Sequence, residues 1–240
     1  MYSTCDRFSR LLLADLERHP VNTNPFFLAF AREYLPLEQL RAFLGQYHYF
    51  CKHFVKLLEG LLYHTPVDEI DLRIELSKTL FSELGSGRQD CAHITLLTRF
   101  AKALGMNDLE LAGVTPSPVV RTYMDVLRRL FMQSGYLAAL GSEAAVEVTA
   151  ISEFRYLYPG LQKYSVFNED DLVFFKLHLN EEACHGQWLL QAVAKTAKSE
   201  QDQQTVLAAA LETADAWHAF WLGLYPLVFR RPFEVTCTPS

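Results

Sequence analysis

The segment FFKLHLNEEACHGQWLL, residues 174–190, decides how the rest of the chain is interpreted. Its first half is apolar almost all round, which is typical of a helix enclosed by other helices. His178, Glu182 and His185 stand at positions i, i+4 and i+7, and at about 100° per residue they fall within roughly 60° of one another. The pattern therefore predicts one helix face that presents two imidazoles and a carboxylate.

This mixture of side chains is the one that non-heme iron prefers, because two His and one carboxylate leave coordination positions open for other ligands. Glu181 could replace Glu182 as the carboxylate, although its direction on the helix is less central. The alternative is an exposed polar face with incidental histidines. The neighbouring apolar run favours the buried, metal-binding interpretation.

Outward from this segment, apolar residues recur at three- and four-residue spacing along nearly the whole chain, which predicts an all-α fold. The only clear linker, residues 113–120, is too short to separate domains. We therefore expect residues 1–240 to form a single helical domain. The predicted helices cover residues 5–18, 25–33, 37–63, 68–84, 90–104, 117–138, 142–164, 169–197 and 199–224.

Composition excludes several functional classes. The chain is 50% hydrophobic with a formal net charge of -6, and it has no Lys- or Arg-rich run, so nucleic-acid binding is not expected. No apolar run approaches the length needed to cross a bilayer, and the first residues are those of an amphipathic helix. The five cysteines are scattered without a CxxC pair. These features predict a cytoplasmic protein with reduced thiols and no membrane partner.

A second informative cluster is ELGSGRQDCAH, residues 83–93. Glu83 ends one predicted helix and His93 opens the next, with a glycine-containing turn between them. Such a turn lets two side chains ten positions apart converge on one point, which a continuous helix would not allow. The alternative is that both residues are ordinary features of helix ends at the surface.

A third candidate is Glu147, in ALGSEAAVEVTA at residues 139–150. Small apolar residues surround it, which predicts a buried carboxylate that needs a positive partner. Glu143 and Glu153 compete for the same role, but we expect both to face solvent or to lie behind the ligands. The small residues also predict a close contact with another helix.

These three motifs, in this order and with YPGL at 158–161, resemble the iron-containing redox branch of the heme-oxygenase-like superfamily. The resemblance covers roughly residues 40–195 and implies a helical bundle of the heme oxygenase-like (TenA/PqqC-like) type. It also implies two non-heme iron ions, with manganese as the alternative, that activate dioxygen to oxidise a small carboxylate, amine or amino-acid-like substrate. The implied ligands are Glu83, His93, Glu147, His178, Glu182 and His185.

Position 182 departs from the family pattern, which usually has Asp there. Glu is longer by one methylene group, which puts the binding of the second iron in question. Homodimers are the common default for such folds.

The segment FLGQYHYFCKHF, residues 43–54, resembles the QYxxF stretch that faces the central cavity in this superfamily. Tyr47 and Tyr49 cannot both point inward because they lie two apart on a helix, and we expect Tyr47 to do so. The alternative is that both are ordinary core aromatics. We predict catalytic roles for Tyr47, Glu83 and His178. Arg155 and Lys176 are candidate anchors for a substrate carboxylate.

Three other functions remain open. A TenA-like thiaminase needs a cysteine nucleophile in the central region, and residues 117–164 contain no cysteine. A PqqC-like cofactor-free oxidase lacks the full carboxylate set, so Glu83 and Glu147 argue against it. A metal-free helical binding module remains possible because of Glu182.

Overall fold

The computed structural model describes the backbone of residues 4–233 and the side chains of residues 7–179 and 189–233. Within these residues the fold is built from α-helices and two short 3-10 turns, with no strand. The α-helices are α1 (Thr4–Arg18), α2 (Pro25–Arg32), α3 (Leu37–His64), α4 (Ile70–Glu83), α5 (His93–Ala103), α6 (Asp108–Ala112), α7 (Pro118–Met132), α8 (Tyr136–Gln162), α9 (Val173–Thr196) and α10 (Glu200–Phe229).

The predicted all-α class is confirmed, and most predicted helices match the observed ones to within a few residues. One boundary was wrong: the break between α7 and α8 lies at residues 133–135, and not near 140. Gly135 adopts a positive φ of 87°, which a residue with a side chain rarely adopts, so the chain turns there. The apolar residues that follow it begin α8. The short α6, with an Asn107 capping box, was not predicted.

Helix α8 lies at the centre of the molecule and packs against α10, α9, α2 and α7. Its small residues allow this, as the sequence predicted. A Cβ atom added at Gly141 would lie 2.2 Å from the carbonyl oxygen of Val206 on α10, so only glycine permits this approach. The close packing fixes the direction in which the carboxylates of α8 point.

Buried apolar side chains from Phe8 to Phe229 form one contiguous core. Aromatic rings dominate its centre, where Trp217 and Trp221 of α10 have ring centroids 5.0 Å apart. Trp221 also lies 4.8 Å from Phe26 of α2. Among the described residues, no helix has the length and apolar character needed to span a bilayer.

Candidate metal centre

A glycine-containing turn brings Glu83 and His93 together. Helix α4 ends at Glu83 and α5 begins at His93, with a 3-10 turn at Gln89–Cys91 between them. Gly85 has a φ of 75°, and a Cβ atom there would lie 2.3 Å from the backbone nitrogen of Ala92. The chain can therefore fold back sharply only with glycine at this position. As a result, His93 Nδ1 lies 3.0 Å from Glu83 Oε1.

His178, on α9, completes a buried cluster with these two residues. One ligand atom from each of Glu83, His93 and His178 lies within 4.8 Å of the others. His178 Nδ1 donates a hydrogen bond of 2.7 Å to the carbonyl oxygen of Phe174, so its Nε2 keeps a lone pair. Burial, and then the neighbouring His93, lower the pKa of His178 to about 4. The imidazole is therefore neutral at physiological pH, as a metal ligand must be.

Two more carboxylates on α8 are buried close to this cluster. Glu147 lines the same cavity as Glu83 and His178. Glu143, one turn earlier, is 0% exposed, and burial and the adjacent Glu147 raise its pKa well above the usual range. Of the two positions expected for Glu143, facing solvent or lying behind the ligands, its burial excludes the first and its place beside Glu147 agrees with the second.

This donor set fits a transition-metal ion. Two imidazoles and a carboxylate converge in a buried position, where negative charge is costly without a nearby cation. The nitrogen and oxygen donors suit non-heme iron. The Phe174 carbonyl that orients His178 is the kind of outer partner that metal-binding histidines use.

The cavity beside the cluster has a volume of about 60 Å³ and carries a second group of polar side chains. The Tyr47 hydroxyl donates a hydrogen bond to Glu153 Oε1. Glu153 is 2% exposed, and burial raises its pKa to about 8, although hydrogen bonds from Tyr47 and Trp217 oppose the shift. The inward direction predicted for Tyr47 is confirmed. Of the two positions expected for Glu153, facing solvent or lying behind the ligands, burial excludes the first.

Among the residues that line the cavity, Trp217 and Cys51 carry polar groups to which sequence reasoning gave no role. The sequence did contain a signal for each residue. Trp217 lies on the buried stripe of α10, and Cys51 lies one turn after Tyr47. Burial and the nearby carboxylates of Glu153 and Glu83 raise the pKa of the Cys51 thiol well above its usual range. A neutral thiol is a poor nucleophile.

Two other predicted roles were wrong. Arg155 is exposed and lines a different surface depression, and Lys176 is exposed and pairs with Glu169. Neither is an anchor in this cavity. Gln46 does not face the cavity, because its amide hydrogen-bonds to Thr115 and Ser117 in the linker.

The side chains of Glu182, its alternative Glu181, and His185 lie outside the described residues. Their predicted roles as ligands therefore stay predictions. The backbone of α9 does continue through these positions as a helix.

Fold and site together define a helical protein in which buried histidines and carboxylates form a candidate metal centre. The arrangement of helices matches that of a TenA homologue from Pseudomonas syringae pv. tomato, with a TM-score of 0.75. The match covers 89% of this chain and 90% of that chain at 14% sequence identity. The expected heme-oxygenase-like fold of the TenA type is confirmed.

The chain belongs to the family of iron-containing redox enzymes, whose profile matches residues 41–218. It is 26% identical over 217 residues to a 4-chloro-allylglycine synthase from Streptantibioticus cattleyicolor, covering 90% of this chain and 82% of that protein. It is 27% identical over 210 residues to a 4-aminobenzoate synthase from Nitrosomonas europaea, covering 84% of each. The protein is therefore an iron-dependent oxidoreductase, as the sequence predicted, and the binding-module alternative is set aside.

Proposed function

We propose that this protein is a non-heme di-iron oxidase that uses dioxygen to oxidise a small-molecule substrate. The observation that carries the proposal is the convergence of Glu83, His93 and His178 within 4.8 Å in a buried cavity that Glu147 also lines. The synthase names of the two relatives agree with chemistry on a small molecule.

In this proposal, Glu83, His93 and His178 hold one iron ion. Glu147 lies where it can share in a second, with Glu182 and His185 on the next turns of α9. When bound, iron supplies the electrons for the reaction with dioxygen. Manganese remains the alternative metal, and metal analysis distinguishes the two.

The chain's own residues prepare the site. The hydrogen bond from His178 to the Phe174 carbonyl fixes the ring and leaves Nε2 directed away from that bond. Phe154 stacks on the His178 ring at 4.6 Å and keeps water from that face. Tyr47 and Glu153 hold a proton between them inside the cavity, which gives Tyr47 its proposed catalytic role.

Iron stoichiometry tests the proposal. The protein reconstituted with Fe(II) without oxygen and then desalted should retain close to two iron ions per chain. Exposure to oxygen should then consume dioxygen and change the absorption spectrum. A protein that binds no iron under these conditions contradicts the proposal, and one that retains a single ion contradicts its di-iron part.

A TenA-like thiaminase is the second candidate, because Cys51 places a thiol in the cavity wall. Its raised pKa argues against a nucleophilic role. Cys51→Ser distinguishes the two, since an oxidase should keep its oxygen consumption and a thiaminase should lose thiamin hydrolysis. A PqqC-like cofactor-free oxidase would consume oxygen equally well after removal of iron.

Oligomeric state, domain organisation and compartment are separate proposals. We propose a homodimer, which exposed apolar residues on α4, Ile70, Ile74 and Phe81, support. The contiguous core supports a single domain, and the free thiols of Cys51 and Cys91 support a cytoplasmic location. Light scattering of the purified protein tests the dimer directly.

A further inference from the structure

Among the residues whose side chains the structure describes, the Asp, Glu, Lys and Arg residues that line the cavity are all acidic. They are Glu83, Glu147 and Glu153. All 22 Lys and Arg residues of the chain lie among the described residues, and none of them lines the cavity. A carboxylate substrate would therefore meet no protein cation here, whereas a cationic substrate would meet complementary charge.

Glu153 stands apart from the other two acids because it lies outside the cluster of metal-binding atoms. Its Oε1 accepts the hydrogen bond from the Tyr47 hydroxyl, and the Trp217 indole also donates to the carboxyl group. Burial raises its pKa to about 8, and no Lys or Arg lines the cavity to compensate the ionised carboxylate. A buried carboxylate of this kind is stabilised by a cation that enters the cavity.

Aromatic rings surround the same place. Phe50 and Trp217 both line the cavity, with ring centroids 5.0 Å apart. The ring centroids of Tyr47 and Phe50 are 6.1 Å apart. The faces of Trp, Tyr and Phe rings attract cations, most strongly when water is excluded. Carboxylate and rings together form an environment suited to an ammonium group.

The rest of the wall selects the body of the ligand. Apart from the Cys51 thiol and the metal-binding group, the described part of it is formed by apolar side chains, among them Phe54, Val55, Ile94, Val146, Phe154 and Phe174. These apolar side chains offer no hydrogen bond to a polar substituent. The complementary molecule carries one cationic end and an apolar chain or ring.

We propose that Glu153, flanked by Tyr47 and Trp217, anchors the ammonium group of an apolar primary amine, and that this amine is the class of substrate oxidised in the cavity. The inference rests on the proposed function, since it names the substrate class of that same site. It places the amino group at Glu153 and the apolar body along the wall shared with Glu83, His93 and His178.

Binding of matched probes tests the anchor. Hexylamine and hexan-1-ol have the same size and differ in charge, and hexanoate carries the opposite charge. Calorimetry at about pH 9, where Glu153 is ionised and hexylamine is still an ammonium ion, on both iron-free and iron-loaded protein should show hexylamine binding at least about tenfold more tightly than either of the others. Preference for hexanoate or hexan-1-ol, equal affinities, or no binding of hexylamine would overturn the inference.

Glu153→Gln keeps the size of the side chain and removes its charge. It should weaken hexylamine binding at least about tenfold while leaving hexan-1-ol binding unchanged. The matched control is Glu143→Gln, another buried carboxyl group of α8, which does not line the cavity. In the iron-free protein this control should bind hexylamine as the wild type does. Equal hexylamine affinity in Glu153→Gln and the wild type would also overturn the inference.

The two proposals fail in different ways. Iron analysis is made on the same samples, so a protein that prefers hexylamine but retains no iron would contradict the oxidase and not the amine site. A protein that retains iron but does not prefer hexylamine would contradict the amine site alone. With both intact, hexylamine should raise the rate of oxygen consumption above that seen with hexan-1-ol.

Discussion

Two groups of acidic side chains line one cavity and differ in the positive partner they require. Glu83 lies beside two imidazoles, and one ligand atom from each of the three residues lies within 4.8 Å of the others, an arrangement suited to a metal ion. Glu153 lies beside a hydroxyl, an indole and aromatic rings, none of which binds a metal well. The comparison shows that the neighbouring side chains, and not the carboxylate itself, decide what a buried acid is suited to bind: a metal ion or the charged end of a substrate.

The largest effect is expected from the metal side of the cavity. His178→Ala removes a buried nitrogen donor, so iron affinity should fall by more than about a hundredfold, and oxygen consumption should be lost. Metal analysis and an oxygen electrode measure these effects, and circular dichroism should show unchanged helix content. The matched control is His48→Ala, because His48 is a buried histidine bonded to Thr98 outside the cavity. Equal iron loss in both variants would contradict the assignment.

The second prediction separates two carboxylates of one helix. Glu147→Ala should lose most of the bound iron, whereas Glu153→Gln should retain the wild-type amount. The physical reason is that Glu147 lies on the side of the cavity that holds the candidate metal ligands. Glu153 lies beside Tyr47 of α3 and Trp217 of α10. Iron analysis after reconstitution and desalting measures the difference. Loss of iron in Glu153→Gln as well would contradict the assignment of Glu147, and not Glu153, to the metal centre.

The third prediction concerns the pH dependence of stability in the iron-free protein. Because the pKa of Glu153 is about 8 in the folded state, the folded chain keeps its proton while the unfolded chain releases it above the ordinary pKa of 4.5. The unfolded state then binds fewer protons, so the free energy of unfolding falls as the pH rises from 4.5 to 8. Glu153→Gln should remove this contribution, which amounts to about 5 kcal/mol in total.

Denaturant unfolding at several pH values measures this slope. Tyr47, Cys51 and Tyr123 face Glu153 from α3 and α7, and each has a pKa raised well above its usual value, so none of them titrates between pH 4.5 and 8. Glu143 contributes in the same direction but is present in both proteins. Parallel curves for the wild type and Glu153→Gln would show that the environment of Glu153 is more polar than the structure indicates.

A smaller effect is expected in the turn that joins the two metal-binding helices. Gly85→Ala forces a Cβ atom to within 2.3 Å of the Ala92 nitrogen and the Arg88 carbonyl oxygen, at a φ of 75°. Relief of this clash should cost about 2–4 kcal/mol in stability and displace His93 from Glu83. Thermal unfolding and iron affinity should fall together. Gly135→Ala, at a positive φ with open space around it, is the control that should affect stability alone.

The smallest effect is expected from Tyr47→Phe, which removes one hydrogen bond to Glu153 and little else. Stability should fall by about 1 kcal/mol, while iron content stays at the wild-type level. The proposed catalytic role further predicts slower oxygen consumption. An unchanged rate would leave Tyr47 with only a structural contact to Glu153.

Much of the fold followed from local patterns. Helical periodicity predicted the all-α class, and the glycine-containing turn after Glu83 predicted its approach to His93. These features depend on neighbours a few residues away, so the sequence carries them directly. The break at Gly135 was misplaced because a helical pattern of apolar residues continues on both sides of it.

The sequence by itself determined the helices, the pairing of Glu83 with His93, and the donor types that indicate iron. Only the tertiary structure decided which acidic side chains are buried and whether any Lys or Arg side chain lines the cavity. The sequence left open whether Glu143 and Glu153 face solvent or lie behind the ligands, and the packing of the bundle buries both. Arg155 and Lys176 were candidate anchors and are exposed. The reason is physical: periodicity gives a helix its faces, but the helices packed around it determine which face meets water.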